Sequence, residues 1–534
     1  MQSMRPTSGS TARLGARPDW LAVVVIAAAG VAVFRGALAQ FFSADDFPAL
    51  ARAAGLLPRL TAPWRLASGQ LYFDLLRVLG GLDPHVYHLA GLLLHLACAL
   101  SLYALLRARL SARAALAGAT LFATHPAHFT TLYWVSAVGG PLSLLLVFAT
   151  IAAAGRRGFA RWLAVPLFAL ALLARESVAL LPLLLPALGR WGAPSGPAGG
   201  EAGSVPPARG WRDPLVAVLA LLSAGLIAHF ALTDALGSRA GATAYAPGFG
   251  RDLGANLLTY LGWSANFFLP TVARFHDAAD PLVYGWGAGL LALWLAGLAL
   301  SGLRRRGWGL AGALYAAFLL PVLPLGHHTY HYYLYAPLAG AGWCVAAALD
   351  RAPPGGGRAR RARASLGRTG SVPDLGPGGG LLGWAVSLTV AALLALNGAL
   401  LVRKIETRPF PGPWGLRSDV TVDRGSIARN AIHALSEAGV PDGARLLFWS
   451  PIARAAGGPA DGGENYLERN VRTALFDGLA VRVFFPGVDS VRFVTAYRSL
   501  PAPYRWAVYR PDGRLRLAAS AELDSVLRAG PPSN

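Results

Sequence analysis

WLAVVVIAAAGVAVFRGALAQFFSADDFPAL, residues 20–50, decides the kind of protein this chain is. Its first part, Trp20–Leu38, is apolar and long enough to cross a bilayer, which takes about 20 residues as a helix. A cleaved signal peptide would carry a shorter apolar core and a small-residue cleavage site. The stretch therefore reads as a membrane anchor, with residues 1–19 (Arg5, Arg13, Arg17) as a cytoplasmic N-terminus. Asp45 and Asp46 follow where lipid gives way to water. Acids at that depth lose hydration and are functional candidates; the bland alternative is that they mark the end of the helix.

The whole chain agrees with that opening. Of 534 residues 54% are hydrophobic and only 14% charged, against about a quarter charged in soluble domains. The net charge of +21 would suit nucleic acid if gathered on one face. Here the arginines fall in short loops between apolar runs, so nucleic acid is not an expected partner and membrane lipids are. Lys404 is the only lysine, and heavy Ala, Gly and Leu use points to a GC-rich bacterial genome. Cys98 and Cys344 lie in separate apolar runs, without the spacing of a disulfide framework or a zinc site.

Apolar runs at 20–39, 86–106, 114–125, 132–154, 162–174, 177–189, 214–233, 282–302, 308–325, 332–349 and 381–402 give an α-helical polytopic membrane protein of about eleven crossings. Arginine clusters at 107–113, 156–161, 190–212, 304–306 and 358–368 share the N-terminal side. The positive-inside rule makes that side cytoplasmic, and the localisation the bacterial inner membrane. Leu253–Pro270 breaks the alternation and reads as a re-entrant or interfacial helix on the outer side. The transmembrane domain is then 20–402, with an outer loop at 40–85 and cytoplasmic linkers at 190–213 and 350–380. Residues 403–534 change character and read as a small extracytoplasmic α/β domain. Helices are expected at Ser426–Glu437 and Asn465–Asp477, and strands at Ala444–Trp449, Ala480–Phe485, Val491–Ala496, Trp506–Tyr509 and Leu515–Ala518.

With that topology the polar residues gather on the outer face. Asp45 and Asp46 follow the first crossing, and Arg65, Asp74 and Asp83 lie in the first outer loop. His125 and His128 end the third crossing, and Arg175–Glu176 form the turn between the fifth and sixth. His276 and Asp277 sit beside the re-entrant segment, and His327, His328, His331 and Tyr332 end the ninth crossing. Each has a bland reading: a structural ion pair for Arg175–Glu176, a broken-helix cap for His125 and His128, an interfacial aromatic belt for HHTYHYY. No cofactor is required by these residues. A divalent metal is the one candidate, and His125 and His128 lack a third ligand at fixed spacing.

Five strings in order over residues 20–345 resemble the C-type (GT-C) glycosyltransferases, in particular the protein O-mannosyltransferase-like and tetratricopeptide-type membrane mannosyltransferases. They are ADDFPAL after the first helix with APWRL (62–66), GLDPHVYHLAGLLLH (81–95), FATHPAHFTTLYWVSAVGGPLSLLL (122–146), ARESVALLP (174–182) and YYLYAPLAG (332–340). Gly91 stands where the family helix has Asn, Thr130 where an acid often follows, and no tetratricopeptide repeats are present. The resemblance implies a polyprenyl-phosphate sugar as donor. It also implies an acceptor hydroxyl on a protein, lipid or glycan, and a mannose-like hexose as the transferred group. By match to the family's acidic pair, Asp45 is the expected base and Asp46 its helper. Arg65 and Arg175 are the candidates for the phosphate, because a guanidinium fork matches its oxygens. Glu176, His125, His128, His327, His328, His331 and Tyr332 complete the expected substrate contacts. Attack opposite the departing phosphate would invert the anomeric centre. The rival readings are a transporter or flippase of lipid-linked sugars, which would place its polar groups at mid-membrane on repeated broken helices, and a membrane scaffold whose outer domain binds partners.

Overall fold

The computed structural model of the chain describes residues 20–192, 210–233, 250–265, 281–300, 302–303, 307–325, 328–350, 381–409, 419–450, 466–494, 497, 499–500, 503–510 and 513–528. They are mostly helical. Six stretches are long and apolar enough to cross a membrane: Trp20–Ala39, Pro84–Arg107, Val135–Ala154, Pro214–Thr233, Pro281–Ala299 and Trp384–Thr407.

The first span is helix α1 (Trp20–Phe34) continued by one tighter turn to Ala39. Helix α2 (Asp46–Ala53) and α3 (Tyr72–Gly80) fold the following loop, and α4 (Pro84–Arg107) crosses back. Asp83 caps α4 through the His85 N–H at 3.0 Å, with Pro84 in the first turn where its missing N–H is harmless. Helix α5 (Ala112–Thr124) is buried from Ala114 to Thr124, at the centre of the bundle. Small residues allow this: a Cβ on Gly118 would strike the Gly342 carbonyl, and one on Gly342 would lie 2.6 Å from that of Gly118.

Beyond α5 the backbone is irregular. A tight turn and α6 (Phe129–Tyr133) lead into α7 (Gly139–Ala154). Such backbone is tolerated at membrane depth only where protein covers it, and residues 125–138 are nearly all buried. Helices α8 (Ala164–Ala174) and α9 (Leu181–Gly192) are separated by extended Arg175 and a turn at Glu176–Val178. Then come α10 (Pro214–Thr233), α11 (Arg251–Ala265), α12 (Pro281–Ala299), α13 (Trp308–Leu319), α14 (Pro337–Leu349) and α15 (Leu381–Thr407). The expected outer segment 253–270 is seen as α11, which packs closely on α12; its residues 266–270 lie outside the described ones. The two ends of the bundle differ: Arg161 pairs with Asp213, and Asp350 accepts the Ser111 N–H at 3.3 Å, at the end opposite Asp45.

The C-terminal part holds α16 (Val420–Ala438), β1 (Arg445–Trp449), α17 (Tyr466–Ala474), α18 (Leu479–Phe484), β2 (Ser490–Phe493), β3 (Tyr504–Tyr509), β4 (Leu515–Ala518) and α19 (Ser520–Arg528). The sheet order is β2-β1-β3-β4, with β1 parallel to β2 and β3 and β4 antiparallel. One expected strand, Ala480–Phe485, is instead helix α18. Gly478 before it turns in the left-handed region (φ +88°), and Phe484 docks on Phe41 and Phe42. This part does not hang free. Its core is continuous with the loop after α1, joining Phe41, Phe42, Phe47 and Leu50 to Ile427, Ile432, Leu446 and Phe448.

Candidate functional site

The acidic pair divides into two different environments. Asp46 is buried, and its carboxylate accepts the Ser43 N–H at 2.9 Å and the Ser136 N–H at 2.7 Å. It therefore pins the loop after α1 to the turn before α7. Burial pushes its carboxyl up to about 7 despite those two donors. Asp45 is exposed, although protein surrounds much of it. That surrounding mass raises its proton affinity, while Arg424 and then Arg65 pull it back down.

Two residues of this loop region adopt backbone that side chains avoid. Ala44 (φ 43°) immediately precedes Asp45, and Arg65 itself has φ 53°. Each costs on the order of 1 kcal/mol or more and persists only where the surroundings dictate it.

Behind Arg65 lies a second layer of charge. Arg65 Nη2 donates to Glu176 Oε1 at 3.3 Å, and Arg175 follows as a buried cation. The Arg175 guanidinium carbon sits 5.2 Å from the Tyr332 ring centre and 5.0 Å from that of Tyr333. Its Nη2 is buried without a hydrogen-bond partner, and so is Glu176 Oε2. Burial works against the Glu176 carboxylate, but Arg65 and Arg175 outweigh it and hold the group below its ordinary range. Gly140 makes the approach feasible: a Cβ there would meet Arg175 Nη1 at 3.4 Å and Tyr335 at 3.2 Å. Tyr332 also bonds His328 at 3.0 Å and lies parallel to Tyr330 at 5.4 Å.

The other expected histidines sit deeper. His125 accepts the Ala127 N–H at Nδ1 and reaches the Ser264 carbonyl through Nε2, so it is the neutral cap of a broken helix. His128 is buried against Tyr335, with ring centres 4.6 Å apart, and both its ring nitrogens lack partners. His95 bonds Tyr335 Oη at 2.9 Å in the same cluster. His331 stacks on Trp263 at 3.9 Å. His276, Asp277 and His327 lie outside the described residues. Asp74 is engaged by Arg59 and Gln70, and Asp83 is a helix cap, so neither joins Asp45. Among the described residues no three His, Cys, Asp or Glu side chains gather so as to hold a metal. His125 spends both ring nitrogens on backbone, which fits a cap better than a metal ligand.

Sequence reading thus identified Asp45, Arg65, Arg175, Glu176, Tyr332 and His328, which the fold brings to one region. Ser136 and above all Arg424 were not among the expected residues; the helix of Arg424 carries no local signal of a site. No protein-family model matches the chain, and no curated protein matches it.

Proposed function

We propose that the chain is an inverting glycosyltransferase that moves a hexose, mannose-like, from a polyprenyl-phosphate donor to an acceptor hydroxyl at the outer face of a bacterial cytoplasmic membrane. The observation that carries this reading is the pairing of one exposed carboxylate with a layered guanidinium cluster. Asp45 feels the charge of Arg65, which pairs with Glu176 beside buried Arg175. Glycosyl transfer needs both parts: a base for the attacking hydroxyl, and positive charge where the leaving phosphate gains its negative charge.

In this reading the acceptor oxygen attacks the anomeric carbon and gives its proton to Asp45. The bond from that carbon to the phosphate oxygen breaks, and polyprenyl phosphate departs toward Arg65 and Arg175. Attack and departure on opposite sides invert the centre. Asp46 contributes by fixing the turn that carries Asp45, through its bonds to Ser43 and Ser136. A lipid-linked donor fits because nucleotide sugars are confined to the cytoplasm. The reading places eleven crossings in the membrane domain. Five of them are made by short helices, α5, α8, α9, α13 and α14, extended by the irregular backbone at the site. It puts the C-terminal domain and Asp45 on the outer side.

The test is reconstitution of the purified protein in liposomes with a synthetic polyprenyl-phosphate hexose and an envelope extract as acceptor, followed by mass spectrometry. Donor loss with gain of one hexose on an acceptor is expected. Transfer of the intact lipid-linked sugar between leaflets, without cleavage, would overturn the proposal in favour of a flippase.

A further inference from the structure

The C-terminal domain grips the loop that ends in Asp45. A Cβ on Gly425 would lie 3.4 Å from the Phe41 carbonyl oxygen, so α16 runs against that backbone. Arg429, one turn further, donates to the Ala39 carbonyl. From another direction the Ala44 N–H donates to the Ala474 carbonyl at 3.3 Å, and Phe484 stacks on Phe41 at 5.6 Å. Ile427 and Ala428 share one core with Phe41, Phe42 and Phe47. Arg424, next to Gly425, is delivered to this place by packing on both sides of it.

Arg424 is half-buried there. Its Nε is buried without a hydrogen-bond partner, and among the described residues it enters no ion pair. Burying such a nitrogen costs free energy unless something is gained from its charge. Its field falls on Asp45, more strongly than that of Arg65, and on Tyr330. The groups facing Asp45 are therefore Arg424 from α16, Arg65 from the loop before α3, Asp46 beside it, and Tyr330 from the segment before α14.

We propose that Arg424 is a positioning residue of the Asp45 site, supplied by the C-terminal domain, which sets a fixed positive charge beside the carboxylate that the same domain holds in place. The domain is then part of the site and no appendage to it. Its charge keeps Asp45 ionised and able to take a proton. That consequence for turnover rests on the glycosyl-transfer reading, whereas the link between Arg424 and position 45 does not.

The experiment separates the two. In a background with Cys98→Ser and Cys344→Ser, Asp45→Cys places a thiol at the exposed position, and its rate of alkylation by iodoacetamide is followed against pH. Two neighbouring unit charges at the rim of a protein shift a titration by about half to one pH unit. Adding Arg424→Gln is expected to raise the thiol midpoint by that amount, and Arg424→Lys to restore most of it. Arg424→Met, which keeps the apolar stem, replaces the glutamine variant if the latter does not purify monodisperse. An identical midpoint with Arg, Lys and the neutral residue would overturn the proposal. In the enzyme with Asp45 intact, Arg424→Gln should move the acid limb of donor turnover to higher pH by a similar amount, with Arg424→Lys reversing it. A shifted thiol in a protein whose wild type consumes no polyprenyl-phosphate sugar would uphold the link and overturn the glycosyl-transfer reading.

Discussion

Asp46 offers a test of the site's frame that needs no substrate. Its carboxylate is buried, accepts two backbone N–H groups, and has a folded-state value of about 7 against an ordinary 3.8. The folded protein thus holds the proton more tightly than the unfolded chain does. Its contribution to stability is complete below pH 3.8 and is lost as pH rises through about 7. At roughly 1.4 kcal/mol per unit, the whole shift corresponds to at most ~4 kcal/mol. Asp46→Asn removes that titration. It also sets an amide NH2 against one of the two backbone donors, a penalty of about 1–3 kcal/mol that does not change with pH. For a chain of this size a kcal/mol moves the melting midpoint by roughly 1 °C. Melting of the detergent-purified protein, followed by tryptophan fluorescence, should show the wild-type advantage over the variant shrinking by about 2–4 °C between pH 5 and pH 7.5. Parallel profiles across that range would refute the account of Asp46 as a proton-holding tie between the loop and the turn before α7.

Three further outcomes follow from the same geometry. Arg65→Ala or Arg175→Ala should weaken binding of polyprenyl phosphate, measured by native mass spectrometry or thermophoresis, by about 10- to 100-fold, the loss of one charge-assisted hydrogen bond; unchanged affinity in both would remove them from the site. Gly140→Val should raise the donor KM more than it lowers thermal stability, because its branches would push on Arg175 and Tyr335; an unchanged KM would place the phosphate elsewhere. Gly118→Val, far from the site, should cost about 1–3 kcal/mol of stability by forcing α5 from α14, seen as a lower melting midpoint with an unaltered donor KM.

The membrane domain was legible where periodicity and length carry the information. Trp20–Leu38 and 214–233 need only a count of apolar residues, and the helices are found there. Eleven apolar runs do not make eleven long helices, because the chain unwinds at His125 and Arg175, where local contacts override propensity. The same override made a helix of Ala480–Phe485. Its valines read as a strand, yet left-handed Gly478 and the Phe484 contact with Phe41 decide otherwise. Asp45, Arg65 and Arg175–Glu176 were visible as polar groups at the ends of apolar runs. Arg424 was not: only the shared core of Phe41, Phe42 and Ile427 brings it to Asp45, and no spacing in the sequence encodes that meeting.

In the proposed reaction Asp45 takes the acceptor proton during sugar transfer from a lipid phosphate. Turnover of polyprenyl-phosphate hexose by Asp45→Asn in liposomes, with donor affinity measured on the same preparation, tests it most directly. A general base contributes about 10²–10⁴-fold, so turnover should fall by that factor while donor affinity stays within about 3-fold. Near-wild-type turnover in the variant would contradict the claim.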